Sequence, residues 1–263
     1  MQSDPASLGG EPMRHLSALI ATAACAACQP PQSGPDWNDA RVVDLGALVT
    51  ETMPYEVWSQ AQLSAFGFND PNTFEDVPGF DPIYVVDSYY RLFNHGGPHV
   101  DAPNHVGSPE NKSLDEFAPT AFVGPARVLD VSNVAQGSII DLETVMQADF
   151  RPGDIAILYT GYRLPGVDGS PVYSTLAADA AQYLAQLPVH AFATDALSSD
   201  SVATYQAAAD RGMTRYADLL PIHHAFLTND IPIYEQLQHV DELLGFRDLF
   251  FVGVPLNIAG GNG

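Results

Sequence analysis

A chain of 263 residues, 46% hydrophobic and 10% aromatic, carries enough apolar material for one sizeable core and too much for a disordered polymer. Its formal charge of −22 comes from 32 acidic residues against 10 basic ones, with Lys112 the only lysine. Such a surface repels phosphate backbones and anionic lipid headgroups, which excludes nucleic-acid binding by charge.

The N-terminal region reads as a leader over residues 1–28. From Met13 a basic start at Arg14 precedes an apolar run from Leu16 to Ala27, too short to span a bilayer but suited to the core of a signal peptide. Ala26, Ala27 and Cys28 resemble the acylation site of a bacterial lipoprotein, with Cys25 offering a second register. The expectation is export to the periplasm, with a lipid anchor through Cys28. Both cysteines lie in this leader, so the folded part would have neither thiolate chemistry nor disulfides.

A linker over 29–40 leads to RVVDL (41–45), which reads as a strand, and then to a long aromatic loop over 66–82. YVVDSYYRLF (84–93) is β-prone and runs into NHGGPHVDAPNHVG (94–107). Beyond it, ARVLDVS (126–132) reads as a strand, and Asp141 caps a helix over 141–147. The turn RPGD then precedes the buried strand IAILYT (155–160). Helical spacing marks 174–187, 203–211 and 222–230, the last closed by Asn229. Strands are expected at 189–195, 231–237 and 247–258. Strands alternating with helices point to an α/β or mixed α+β domain around a central sheet.

Three histidines and a carboxylate crowd the 94–107 segment. His95 and His99 have helical spacing, but Gly96, Gly97 and Pro98 between them argue for a strand end or a loop. In an extended chain His99 and Asp101 point to the same side. A lone loop histidine is ordinarily just polar, whereas imidazoles and a carboxylate on a stiffened loop suit half a shell for Zn2+ or Mn2+. His105 could instead move protons. No serine-hydrolase elbow, dinucleotide fingerprint or phosphate loop competes.

HGGPHVDAPNH (95–105) resembles the H-x-G-T-H-x-D-x-P-x-H signature of the metal-dependent cyclase family, which includes bacterial kynurenine formamidase and isatin hydrolase. Pro98 stands where the family has threonine, which removes a hydroxyl and an N–H beside the first ligands. PIHHAFLTNDIPIYEQL (221–237) is similar to a second family segment, with His223 and Glu235 at the family's spacing; TDALSSD (194–200), VVDLGALVTETMP (42–54) and VPLNIAGGNG (254–263) are similar to others. The resemblance covers 41–263. Because the family continues past the glycine-rich segment, either the natural chain extends beyond Gly263 or its last strand is short.

The resemblance implies a single domain over 41–263 with a central mixed, partly barrel-like β-sheet flanked by helices. It implies two metal ions, zinc or manganese. His95, His99 and Asp101 would hold the first; Asp101 would bridge to a second at His223, with Glu235 reaching one or both. His105 would be the catalytic acid/base. The expected reaction is hydrolysis of an amide, lactam or lactone carbonyl of a small, aromatic substrate by activated water, in a homodimer. Trp58, Phe66, Phe68 and Phe80 are candidates for a pocket wall. His15, His190 and His239 read as ordinary polar residues. The rival reading is an exported lipoprotein that binds a metal or small ligand without turning it over; it would not need His105.

Overall fold

The computed structural model describes residues 40–53, 72–77, 87–163 and 172–263. The expected leader, the linker up to residue 39, most of the aromatic loop and the four candidate wall residues lie outside the described residues. Residues Val43–Gly263 form one compact unit.

A six-stranded mixed sheet organises this unit. Its strands are β3 (His99–Asp101), β4 (Val123–Asp130), β6 (Ile155–Tyr159), β8 (Ala191–Thr194), β9 (Ile233–Glu235) and β10 (Leu249–Val252), arranged β10-β4-β6-β8-β9-β3. The central four, β4, β6, β8 and β9, run parallel; β10 and β3 add antiparallel edges. Parallel strands need covered faces, and β6 is buried at all five positions. Two further short pairings accompany the sheet. One joins β1 (Thr73–Val77) to β2 (Asp87–Arg91), and the other joins β5 (Ile139–Ile140) to β7 (Thr175–Leu176).

Side-chain alternation sorts the core into two layers. Ala156 and Leu158 of β6, Phe192 of β8 and Ile233 of β9 face a layer built with α1 (Leu142–Gln147), α2 (Ala178–Gln186) and α5 (Pro221–Leu227). Ile155, Ile157 and Tyr159, Ala191 and Ala193, and Tyr234 face the opposite layer, together with Val100 of β3. Two further helices, α3 (Val202–Asp210) and α4 (Tyr216–Leu219), precede α5. Phe226 of α5 stacks on Phe192 of β8 with ring centroids 4.7 Å apart, and both are fully buried. Each such ring contributes roughly 1.5–3 kcal/mol by burial alone, so α5 is held firmly over β8 and β9.

Several expected elements change. RVVDL forms no strand. The expected 66–82 loop contains β1, which pairs with β2 and sets Phe74 edge-on to Tyr90 at 5.4 Å. The helix expected from 174 begins at Ala178, because Thr175 and Leu176 are drawn into β7 beside β5. The helix expected over 222–230 ends at Leu227, with Thr228 as its cap, while Asn229 Nδ2 donates to the Ala225 carbonyl. The last strand stops at Val252 instead of Ile258: its partner β4 begins at Val123, opposite Val252, and Pro255 has no N–H to give.

Candidate metal centre

The sheet's parity builds the site. His99 pairs with Glu235 across the β3–β9 ladder, and Asp101 pairs with Ile233 two residues on. Since Val100 and Tyr234 face one layer, His99, Asp101 and Glu235 project into the other, where α5 carries His223. His95 reaches the same place from the loop before β3, and His105 from a one-turn 3-10 helix, Pro103–His105. Gly97 makes that approach possible: its φ is +148°, and a Cβ there would lie 2.3 Å from the Met53 methyl carbon.

Asp101 is the centre of the cluster and is wholly buried. Its Oδ1 lies 3.1 Å from His95 Nε2 and 3.3 Å from His99 Nε2, while its Oδ2 lies 3.5 Å from His223 Nε2. Glu235, 3% exposed, places Oε1 3.4 Å from His223 Nε2 and Oε2 3.9 Å from His99 Nε2. The structure thus brings together all five residues named from the sequence as ligands. Two sets of three, His95–Asp101–His105 and His99–Asp101–Glu235, each have ligand atoms within 4.8 Å of one another.

The outward nitrogens decide what these contacts are. His99 Nδ1 donates to the Gly97 carbonyl at 2.7 Å, His223 Nδ1 to Asp200 Oδ2 at 2.7 Å, and His95 Nδ1 to Asn94 Oδ1 at 2.9 Å. Each acceptor oxygen requires the ring proton on Nδ1, so in the neutral rings the three Nε2 lone pairs turn inward. His99 Nε2 and both oxygens of Asp101 are buried, and what they face are one another and the other imidazole nitrogens, 3.1–3.5 Å away. Carboxylates buried this closely need positive charge among them, supplied by protons on the rings or by a metal ion, and three nitrogens with two carboxylates fit zinc or manganese.

The titration behaviour follows from this crowding. Burial works against charging His99 and His223, yet the adjacent carboxylates prevail and both are raised, His223 well above an ordinary imidazole. Burial also opposes charge on Asp101, but His105, His99 and the other imidazoles hold it well below the usual carboxylate range. Glu235 is raised by burial and then by the charge of Asp101. His105 is pushed down to about 4, first by burial, with Asp101 opposing and the neighbouring imidazoles adding to the effect. Its ring stacks on His95 with centroids 4.2 Å apart and lies 6.0 Å from that of His223. At neutral pH His105 is therefore a neutral base at the edge of the cluster.

A supporting layer surrounds these ligands, from residues to which the sequence alone assigns no role. Asp200 accepts the Ile222 and His223 backbone N–H groups at 3.0 and 2.9 Å, which caps α5, and also fixes the His223 ring. The Ser199 N–H and the Ser198 hydroxyl donate to Glu235 Oε1 at 2.6 and 3.2 Å. Gln236 is fully buried with φ of +62°, unusual for a side-chain-bearing residue, and its amide donates to the carbonyls of Leu197 and His95. The orienting bonds of the three rings all come from elsewhere than position 98, so the Pro98 departure leaves them intact. Replacing Asp200 by alanine is expected to weaken metal binding about 10–100-fold and to destabilise the fold by ~1–2 kcal/mol through the lost cap. Metal titration and thermal unfolding measure the two effects separately, and native affinity in the variant would rule out the orienting role.

Comparison with known proteins places this geometry in context. The family model described as "Putative cyclase" matches residues 43–201. A kynurenine formamidase of Salinibacter ruber is 31% identical over 173 residues, which span 65% of this chain and 73% of that protein. Among solved structures, isatin hydrolase A from Labrenzia aggregata, bound to benzyl benzoate, superposes with a TM-score of 0.64 at 20% identity, over 84% of this chain and 90% of that one. A potential metal-dependent hydrolase with cyclase activity superposes with a TM-score of 0.58 at 21% identity, over 84% and 92%. The family match ends before His223 and Glu235, whose place in the cluster rests on the register and distances above.

Proposed function

Since the chain belongs to the cyclase family, we propose that it is a metal-dependent hydrolase that opens the C–N bond of an amide or cyclic amide in a small aromatic compound. One observation carries the reading: three imidazoles, each with its proton committed outward, converge on two buried carboxylates. His95, His99, Asp101, His223 and Glu235 would hold zinc or manganese, two ions in our reading. A cation so held supplies a water whose pKa is lowered toward ~7 and polarises the substrate carbonyl.

The protein's own groups do the rest. Neutral His105 accepts the proton that water gives up as its oxygen bonds to the carbonyl carbon. As the C–N bond breaks, the same ring returns that proton to the leaving nitrogen. The buried supports of His223 and Glu235 keep their ligand atoms turned inward through the cycle. The similar proteins named above support amide substrates with an aromatic ring; a lactone would meet the same groups.

The test uses the full chain, stripped with a chelator and reloaded with Zn2+ or Mn2+, against an aryl formamide, a cyclic aryl amide and an aryl lactone. Turnover of at least one amide is expected after reloading and none after stripping. A chain that binds metal but turns over none of the three is a binding protein, and the hydrolase reading fails.

A further inference from the structure

The glycine-rich C-terminal segment is laced to the metal loop. The Ala102 N–H donates to the Asn262 carbonyl at 3.2 Å, the Leu114 N–H to the Gly261 carbonyl at 2.9 Å, and Asn104 Nδ2 to the Gly260 carbonyl at 3.3 Å. In the other direction the Gly260 N–H donates to Asp115 Oδ1 at 2.9 Å. A Cβ built on Gly263 would lie 2.7 Å from His95 Nε2 and Cε1, so the segment runs directly against that ring.

Within this lacing one pair of side chains has a direction. Asn94 Oδ1 accepts from His95 Nδ1 at 2.9 Å, which leaves the Asn94 amide nitrogen as donor, and that nitrogen gives its proton to Asn262 Oδ1 at 2.7 Å. In this arrangement Asn262 accepts through Oδ1. If the Asn94 amide turned over, its nitrogen would face His95 Nδ1 and its oxygen would face Asn262; the ring proton would then move to Nε2, the atom that faces Asp101. We propose that Asn262 is a positioning residue for the metal centre: through Asn94 it holds the His95 tautomer that presents a lone pair at Nε2. The inference rests on the metal reading above and extends the site to the C-terminal segment, 161 residues beyond Asp101 in the chain (262 − 101). Losing an orienting partner of this kind weakens metal affinity ~10-fold or more.

The measurement is Zn2+ affinity of the full chain by competition with a chromophoric chelator, for the native protein and for Asn262→Ala, Asn262→Asp, Asn94→Ala and the double alanine variant. Thermal unfolding of the metal-free forms is recorded alongside. Asn262→Ala is expected to bind Zn2+ about 10-fold more weakly, with its metal-free unfolding temperature unchanged because the backbone bonds remain. Asn262→Asp keeps the acceptor and should bind as the native chain does. In the Asn94→Ala background the second substitution should add nothing. Native affinity in Asn262→Ala, equal loss in the aspartate variant, or additive losses in the double variant would each overturn the inference while leaving the hydrolase reading intact. A native chain with no affinity for Zn2+ would overturn both.

Discussion

Replacing His105 by alanine is expected to lower turnover of the amide substrate by about 10²–10⁴-fold, the range for a lost general acid/base, while metal content stays at the native level. The ring stacks on His95 at the rim of the cluster, and burial keeps it neutral, so it can take a proton near pH 7. The same displacement fixes the pH signature. The acid limb of the native rate profile should fall below 6.5, where an ordinary histidine would put it, because the base loses function only once it is protonated. His105 also shares a ligand-distance triad with His95 and Asp101. Metal loss in the variant would therefore mean that His105 is a ligand, and an unchanged turnover number would mean that the acid/base lies elsewhere.

The second large effect is expected at Asp101. Its two oxygens divide the cluster, one facing His95 and His99 and the other facing His223, so a single carboxylate serves both halves. Asp101→Ala should bring metal from about two equivalents per chain to none and abolish turnover, as expected when the shared ligand of a two-metal site is removed. Elemental analysis of native and variant protein reads this directly. One equivalent in the native chain would assign a single-ion centre, with either His223 or Glu235 acting as support. Retained metal in the variant would remove Asp101 from the ligand set.

The first half of the site was legible in the sequence because its chemistry is local: His95, His99, Asp101 and His105 share eleven consecutive residues stiffened by glycine and proline. His223 and Glu235 were legible only through family resemblance, since a helix-start histidine and a strand-end glutamate look ordinary alone. Of the supports only the stretch was legible: TDALSSD carries Ser198, Ser199 and Asp200 but assigns them no role. Asp200 becomes an orienting group only when β8, β9 and α5 are assembled, and Asn94 only when the C-terminal segment returns to it. Fold class followed from alternation, yet boundaries depended on partners far along the chain. RVVDL has strand-forming residues but pairs with no strand among the described residues, whereas 73–77 finds β2 despite its acidic composition.

The ladder between β3 and β9 is only three residues long, yet both contribute side chains to the cluster. Strands this short carry little intrinsic preference for one alignment. Sliding β3 by a single residue would turn Val100 toward the imidazoles and send His99 and Asp101 into the apolar layer around Tyr234. Alignment must therefore be held from outside the ladder, by the left-handed turns at Gly97 and Gln236 that bracket it and by Ala102 donating to the last residues of the chain. Substitutions at these three anchors, none of which supplies a ligand atom, act on catalysis as errors of phase between two strands, all the ligands of β3 being lost or kept together.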